Sequence, residues 1–416
     1  MRAPTSALAE QRHVLQRWPS FRLLFLATLA SGIGTWLAVI ALTVDVFDRT
    51  GSASWVSALL IADFLPAVAI GLLLGPLVDR LSRRGLMIGA DLARAIVFVA
   101  LPFADSARHI VVLAALAGVA TGLFRPASYA GLPNTVSDRD LAQANSLLRA
   151  AEYLTIMAGT LAGGVVAEAF GPDPAYFANA ATFLCSAALL ARIPSRQLQA
   201  GRSSSQGHWR DVGEGLLVVA RSRALLTVFV VWNIVLLAAG ATNVAEVALA
   251  KVSFSAGDLG FGLLWTATGV GQATGSLLAA SWLERRGLRA VYAGAVALMA
   301  GGALAASVSP NVWVALVCVA VGGAGNGAAV VYNSLLVQRG APDHLRGRAF
   351  TVLMSATFAA MGVGMVAGGP LTDAVGARWV YAGAGAMTVA AAVVARAMTR
   401  HVPELAKEAT PASAVG

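Results

Sequence analysis

The chain has 416 residues, of which 57% are hydrophobic and only 12% charged, and it carries a formal net charge of +9. Ordinary soluble domains carry roughly 25% charged residues. This composition cannot clothe a water-soluble surface and calls for a lipid bilayer as partner.

In chain order, apolar runs of the length that crosses a ~30 Å hydrocarbon core as a helix fall at approximately 21–47, 53–77, 87–104, 109–131, 144–170, 175–193, 224–250, 258–282, 290–307, 311–335, 346–369 and 377–399. Lipid offers the backbone no hydrogen-bonding partner, so such runs are expected to be helices and not strands. The first is too long for a signal-peptide core and is expected to remain as a helix. Residues 194–222 interrupt the pattern with Pro194, Arg202 and Ser203-Ser204-Ser205 and read as a linker. Within it, Trp209, Val212, Leu216 and Val219 recur at helical spacing opposite Arg210, Asp211 and Glu214, which suits an interfacial helix or a solvated linker. The expected organisation is a first six-helix half over 1–193, the linker over 194–222, a second six-helix half over 223–400 and a tail over 401–416.

Orientation follows from the basic residues. Of the 30 Lys and Arg residues, Arg49, Arg108, Lys251 and Arg378 fall on one side, and Arg94 and Arg125 lie inside spans. All the others fall on the opposite side with both termini, which is therefore expected to be cytoplasmic. This asymmetry and anionic headgroups account for the positive charge, so nucleic acid is not an expected partner. Cys185 and Cys318 lie within spans, too few for a disulfide framework, and are expected to pack there.

The second half repeats the first. Arg83-Arg84-Gly85-Leu86 returns 202 positions later as Arg285-Arg286-Gly287-Leu288, while Gly163-Gly164, Glu168 and Gly171 return 205 positions later as Gly368-Gly369, Asp373 and Gly376. So steady an offset points to duplication of one folding unit. In membrane proteins this pattern places a substrate site between pseudo-symmetric halves.

The loop after the second run reads Gly75-Pro76-Leu77-Val78-Asp79-Arg80-Leu81-Ser82-Arg83-Arg84. It resembles the loop motif of the major facilitator superfamily, with Ser82 where glycine is usual. The resemblance implies twelve helices in two six-helix halves and a gating role for Gly75, Asp79, Arg80, Arg83 and Arg84. Asp79 would face the positive N-terminal end of a helix from the other half, naturally the eleventh, beginning near Arg346. Gly159-Thr160-Leu161-Ala162-Gly163-Gly164 resembles the glycine-rich motif of the antiporter branch, with Thr160 where proline is usual, so Gly159, Gly163 and Gly164 read either as that motif or as helix packing. Leu123-Phe124-Arg125-Pro126-Ala127, Leu132-Pro133-Asn134 and Asn145-Ser146-Leu147, with Asp91 and Arg94, are similar to the subgroup of enterobactin exporters and macrolide efflux proteins. Members of that subgroup often carry an acidic residue early in the first helix, where this chain has Gly34-Thr35.

Proton coupling would then need another carboxylate. Ionisable groups at membrane depth default to function, which nominates Asp63, Glu152 and Glu246. Arg125 is a buried-charge candidate, either at a binding site or paired with a carboxylate such as Glu152, while Asp91 and Arg94 are spaced to pair on one helix. Trp36, Asn233, Asn243, Trp265, Gln272, Asn326 and Tyr332 are candidate lining for a substrate cavity, and each also suits interhelical packing.

The five histidines are scattered without metal-ligand spacing and there is no phosphate-cradling loop. Catalysis, a bound metal, an organic cofactor and a self-powered ATP pump are therefore not expected. The reading is a monomeric secondary transporter in a bacterial cell membrane that exports a small amphipathic molecule in exchange for protons. A lipid or siderophore carrier and a non-transporting membrane sensor are the alternatives. The excess of arginine over lysine suggests a GC-rich bacterium.

Overall fold

The computed structural model describes residues 13–73, 81–198, 208–341 and 345–401, and among them there are helices and no strands. The first half comprises α1 (Pro19–Thr50), α2 (Ala53–Leu73), α3 (Arg83–Ala100), α4 (Ala107–Gly131), α5 (Leu141–Phe170) and α6 (Asp173–Ala191). Between the halves lies α7 (His208–Arg221). The second half comprises α8 (Arg223–Ala248), α9 (257–286), α10 (Gly287–Val308), α11 (Val312–Gly340), α12 (Arg346–Val375) and α13 (Ala377–Met398). The continuous run Gly257–Val308 is divided by Gly287, whose φ of 75° and ψ of 158° leave helical space. Among the described residues, eleven helices are long and apolar enough to cross a membrane, and α9 is the twelfth of the expected set. Several extend past their apolar runs because polar residues are tolerated once a helix leaves the hydrocarbon; α12 continues to Val375 and α1 to Thr50.

Contacts divide the described chain into two units. The first contains the first half together with 244–266 and 365–376, and the second contains 205–243, 267–364 and the chain from 377 onward.

In the first unit α1 packs on α5 and α6, α2 on α4, and α3 on α4 and α6. Phe21, Leu24, Met87, Phe124, Leu132 and Leu190 form its core. Close packing depends on glycine, since lipid competes for apolar side chains and attraction between helices comes from backbones in near contact. A Cβ at Gly118 of α4 would stand 2.1 Å from the carbonyl oxygen of Asp63, and one at Gly122 would stand 2.8 Å from that of Ala67. At the start of α3, Ser82 caps the helix by accepting from the Gly85 amide at 3.2 Å. The serine that replaces the motif's usual glycine thus satisfies a backbone donor that would otherwise be open. Trp18 donates its indole N–H to Asp140 at 2.9 Å, tying the start of α1 to the start of α5, and this bond holds the Asp140 carboxyl below the usual carboxylate range.

The second unit repeats these contacts residue for residue. A Cβ at Gly323 of α11 would come 2.4 Å from the Thr268 carbonyl oxygen, and one at Gly327 would come 2.0 Å from that of Gln272. These four positions are the first unit's 118, 63, 122 and 67 shifted by 205. The helix caps follow the same shift: Ser106 accepts from the His109 amide to begin α4, and Asn311 from the Val314 amide to begin α11. The core here gathers Val231, Trp232, Tyr292, Tyr332, Leu336 and Leu353. α7 is amphipathic. Its Gly215 approaches the backbone of Arg348 at the start of α12, Glu214 pairs with Arg348, and Leu216 and Leu217 stay exposed.

Large apolar side chains such as Ile96, Phe103, Leu277, Val308 and Trp379 are more than 70% exposed, a surface suited to hydrocarbon and not to water. Gly327→Ala should destabilise the protein by about 1–3 kcal/mol, because its new methyl meets backbone and not a movable side-chain end. Gly301→Ala, whose Cβ has nothing within 4 Å, should leave the melting temperature in detergent unchanged or slightly higher.

Candidate functional site

Asp91 and Arg94 are buried charges one turn apart on α3, 0% and 6% exposed. They form an ion pair, with an Arg94 guanidinium N–H donated to Asp91 Oδ1. The guanidinium also lies between two aromatic faces, 4.6 Å from the Phe124 ring of α4 and 4.2 Å from the Phe183 ring of α6. A planar, weakly hydrated cation is suited to such a slot. Arg94 Nε is buried without a hydrogen-bond partner among the described residues.

Asp63 projects from α2 in the same unit and has no side-chain hydrogen bond among the described residues; the charges acting on it are those of Arg94 and Arg125. Its backbone is held by the Gly118 approach and Pro66 follows within the helix, so the carboxylate rides on a locally fixed turn. Glu152 is placed differently. It is about one-third exposed, accepts from the Tyr129 hydroxyl at 2.5 Å and pairs with Arg149 at 3.0 Å. Arg125 is exposed and forms no ion pair with Glu152 among the described residues, so the expected pairing is replaced by these two contacts. Glu246 is buried in α8 at 6% exposure, within the first unit.

The glycines of the antiporter-like stretch serve two neighbours. Gly159 and Gly163 bring α5 against α1, where a Cβ would stand 2.7 Å from the carbonyl oxygens of Ile33 and Leu37 respectively. Gly364 makes the matching approach to Leu237 in the second unit, where a Cβ would stand 2.1 Å from its carbonyl oxygen. Gly164 instead faces α9, where its Cβ would lie 3.0 Å from the Gly262 Cα. Thr160, at the position where proline is usual, meets the Thr266 hydroxyl at 3.0 Å and also donates back to the Ile156 carbonyl. Beside this contact, Trp36 of α1 and Trp265 of α9 place their rings 5.5 Å apart at 43°, an arrangement favourable to aromatic pairs. Trp265 Nε1 is buried and has no acceptor among the described residues.

Among the other cavity candidates, Tyr332 is fully buried and donates to the Ala279 carbonyl at 2.9 Å, which makes it packing between α11 and α9. Asn233 turns back to the Phe229 carbonyl at 2.6 Å on its own helix. Asn243, Gln272 and Asn326 are partly exposed on α8, α9 and α11. Gly75, Asp79 and Arg80 lie outside the described residues. Arg83 donates to the carbonyls of Ala130 and Leu198, and Arg84 to Ser195 Oγ at 3.1 Å and to the Ala191 carbonyl. These two arginines therefore close the ends of α4 and α6, where a helix leaves carbonyls without partners. Sequence reasoning did not anticipate the aromatic slot of Arg94, nor the buried Tyr292–Asn333 hydrogen bond of 2.7 Å. Both depend on helix-to-helix register, which a single sequence does not display. Among the described residues no group of His, Cys, Asp and Glu is arranged to hold a metal.

Breaking the α3 pair should be costly. Asp91→Ala leaves a buried guanidinium without its carboxylate and should lower stability by about 3–5 kcal/mol, whereas replacing Asp91 and Arg94 together with apolar residues should cost much less. Thermal unfolding of the three proteins in one detergent checks the order.

A family model described as transmembrane secretion effector matches residues 13–414. The multidrug efflux pump Tap of Mycolicibacterium fortuitum is 30% identical over 383 residues, covering 87% of this chain and 91% of that protein. The uncharacterised MFS-type transporter YfiS of Bacillus subtilis (strain 168) is 25% identical over 373 residues, covering 86% and 88%. Among solved structures, the nucleoside transporter NupG shares the fold with a TM-score of 0.71 at 16% identity, covering 92% of this chain and 99% of that one. A bacterial homologue of the iron transporter ferroportin in an inward-facing state gives a TM-score of 0.72 at 15% identity, covering 92% and 98%. The family match over nearly the whole chain and the duplicated twelve-helix architecture agree: the chain belongs to the transmembrane secretion effector family of the major facilitator superfamily.

Proposed function

We propose that the protein is a proton-coupled antiporter that exports small amphipathic, drug-like molecules across a bacterial inner membrane, acting as a monomer with both termini in the cytoplasm. Similarity to multidrug efflux pumps along most of both chains supports the substrate class. The observation that carries the reading is the Trp36–Trp265 pair with its buried indole N–H, unbonded among the described residues. An aromatic surface with one directed donor suits a flat, largely apolar molecule bearing a single acceptor better than it suits a sugar or an inorganic ion. Buried polar atoms nearly always find a partner, and a bound substrate would supply one.

Asp63 is the proposed proton carrier. Unlike Glu152, it has no side-chain hydrogen bond among the described residues to hold it in one charge state, and it lies within the fields of Arg94 and Arg125. Substrate and proton would be linked because each favours a different access state. Asp63→Asn should abolish gradient-driven dye or antibiotic efflux in cells while leaving binding of the same compound measurable. Efflux that continues at the wild-type rate in that variant, and that collapses with a protonophore, transfers the role to Glu246 or Glu152. Efflux indifferent to the protonophore in the wild type removes proton coupling altogether.

The orientation rests on the basic residues of the loops. A cysteine at Ser106 should react with an impermeant maleimide added to intact cells, and one at Asn145, at the other end of the bundle, should react only after permeabilisation. The reverse pattern would invert the topology and with it the direction of transport.

A further inference from the structure

The first unit includes two segments from the second half of the sequence, and both are held by a carboxylate that caps a helix of the other half. Glu168, at the end of α5, accepts from the backbone amides of Asp258 at 2.8 Å and Leu259 at 3.3 Å, the first donors of α9. Asp373, at the end of α12, accepts from the amides of Ala53 at 2.7 Å and Ser54 at 3.0 Å, the first donors of α2. Shifting 168, 53 and 54 by 205 gives 373, 258 and 259, so the two contacts are one contact made twice in reciprocal directions.

The symmetry continues one turn deeper, where only small residues fit. A Cβ at Gly164 would stand 3.3 Å from the Leu259 Cα, and one at Gly369 would stand 2.7 Å from the Ser54 Cα. A Cβ at Gly262 would stand 2.6 Å from the Thr160 carbonyl oxygen, while Ser57, its counterpart, donates its hydroxyl to the Met365 carbonyl at 2.5 Å. Each carboxylate thus meets the positive end of a helix dipole across a seam of bare backbone. Bonds to an ionised acceptor are stronger than neutral ones. The Asp373 contact is reinforced by hydroxyls, Ser52 at 2.8 Å and Ser54 at 2.6 Å. The Glu168 contact is flanked by Lys251, which binds both Asp48 at the end of α1 and Asp258.

We propose that Glu168 and Asp373 are paired positioning residues of the transport cycle, a two-fold latch that holds together the ends of α2, α5, α9 and α12 on the face proposed to be external. Transport by alternating access requires these ends to part and re-form once per cycle, so the inference takes its meaning from the proposed function. Neither residue touches substrate. They act by stabilising the state closed on that face, and their loss shifts the balance toward the state open there.

The test is a distance, which needs no substrate. In a background without Cys185 and Cys318, spin labels at Asp105 and Val252 report the separation of this face in the full chain reconstituted in lipid. The wild-type protein should give mainly the short distance. Glu168→Gln with Asp373→Asn should raise the ratio of long to short distances about tenfold, equivalent to about 1.4 kcal/mol, with insertion and melting temperature little changed. Each single variant should give about threefold, which keeps the question open to measurement if the double variant inserts poorly. Asp373→Glu, which keeps the charge, should shift the ratio less than Asp373→Asn. An unchanged distribution in the two neutral variants overturns the latch, and equal shifts in Asp373→Glu and Asp373→Asn overturn its electrostatic origin. Failure of drug efflux in a separate assay, with the distance shift intact, would overturn the proposed substrate and leave the latch standing.

Discussion

Backbone lying directly on backbone is the contact on which this fold depends. Hydrocarbon gives apolar side chains no reason to leave lipid for one another, so helices are held by dispersion across surfaces close enough for carbonyls to approach Cα atoms. Gly118 over Asp63 and Gly323 over Thr268 show how close that is, since neither position admits even a methyl group. Everything charged in the interior is mounted on this frame. Asp63 is held at its carbonyl by the glycine opposite, which fixes where the carboxylate can reach.

The interior charges are handled in two ways. Asp91 and Arg94 neutralise each other on one turn of α3, and the phenyl faces of Phe124 and Phe183 take the place of water around the guanidinium. Such a group is expensive to bury and expensive to disturb, which suits a fixed feature more than a moving one. Asp63 has no such enclosure. The contrast, on successive helices of one half, is between a carboxylate spent in an ion pair and one that makes no ion pair among the described residues.

Much of the architecture was legible in the sequence because membrane helices announce themselves by length and apolarity, and because duplication leaves a countable offset. The helical spacing within 208–221 and the pairing of Asp91 with Arg94 were readable from residue spacing. Partners across helices were not. That Glu152 meets Tyr129 and Arg149 could not be read from the sequence, because the rotation of α5 about its axis is set by Gly159, Gly163 and Gly164 packing in two directions. Tyr332 reads as cavity lining on composition, yet its hydroxyl is spent on the Ala279 carbonyl. Glu168 and Asp373 were visible as a repeat, but that each reaches the other half's helix start requires the three-dimensional arrangement.

The constant shift of 205 has a consequence for what the chain tolerates over evolutionary time. It holds from the 53/258 pair through 67/272, and again from 106/311 to 176/381, but falls to 202 at Arg83 and Arg285 between them. Length has therefore changed only around the third helix of a repeat, and the changes cancel. An α-helix turns once every 3.6 residues, so a single inserted residue inside α2 or α5 would rotate everything beyond it by about 100°. Glycines that now meet a carbonyl would then point into lipid. Substitution can proceed residue by residue in such a molecule, whereas insertion is confined to the few turns where no backbone lies against another.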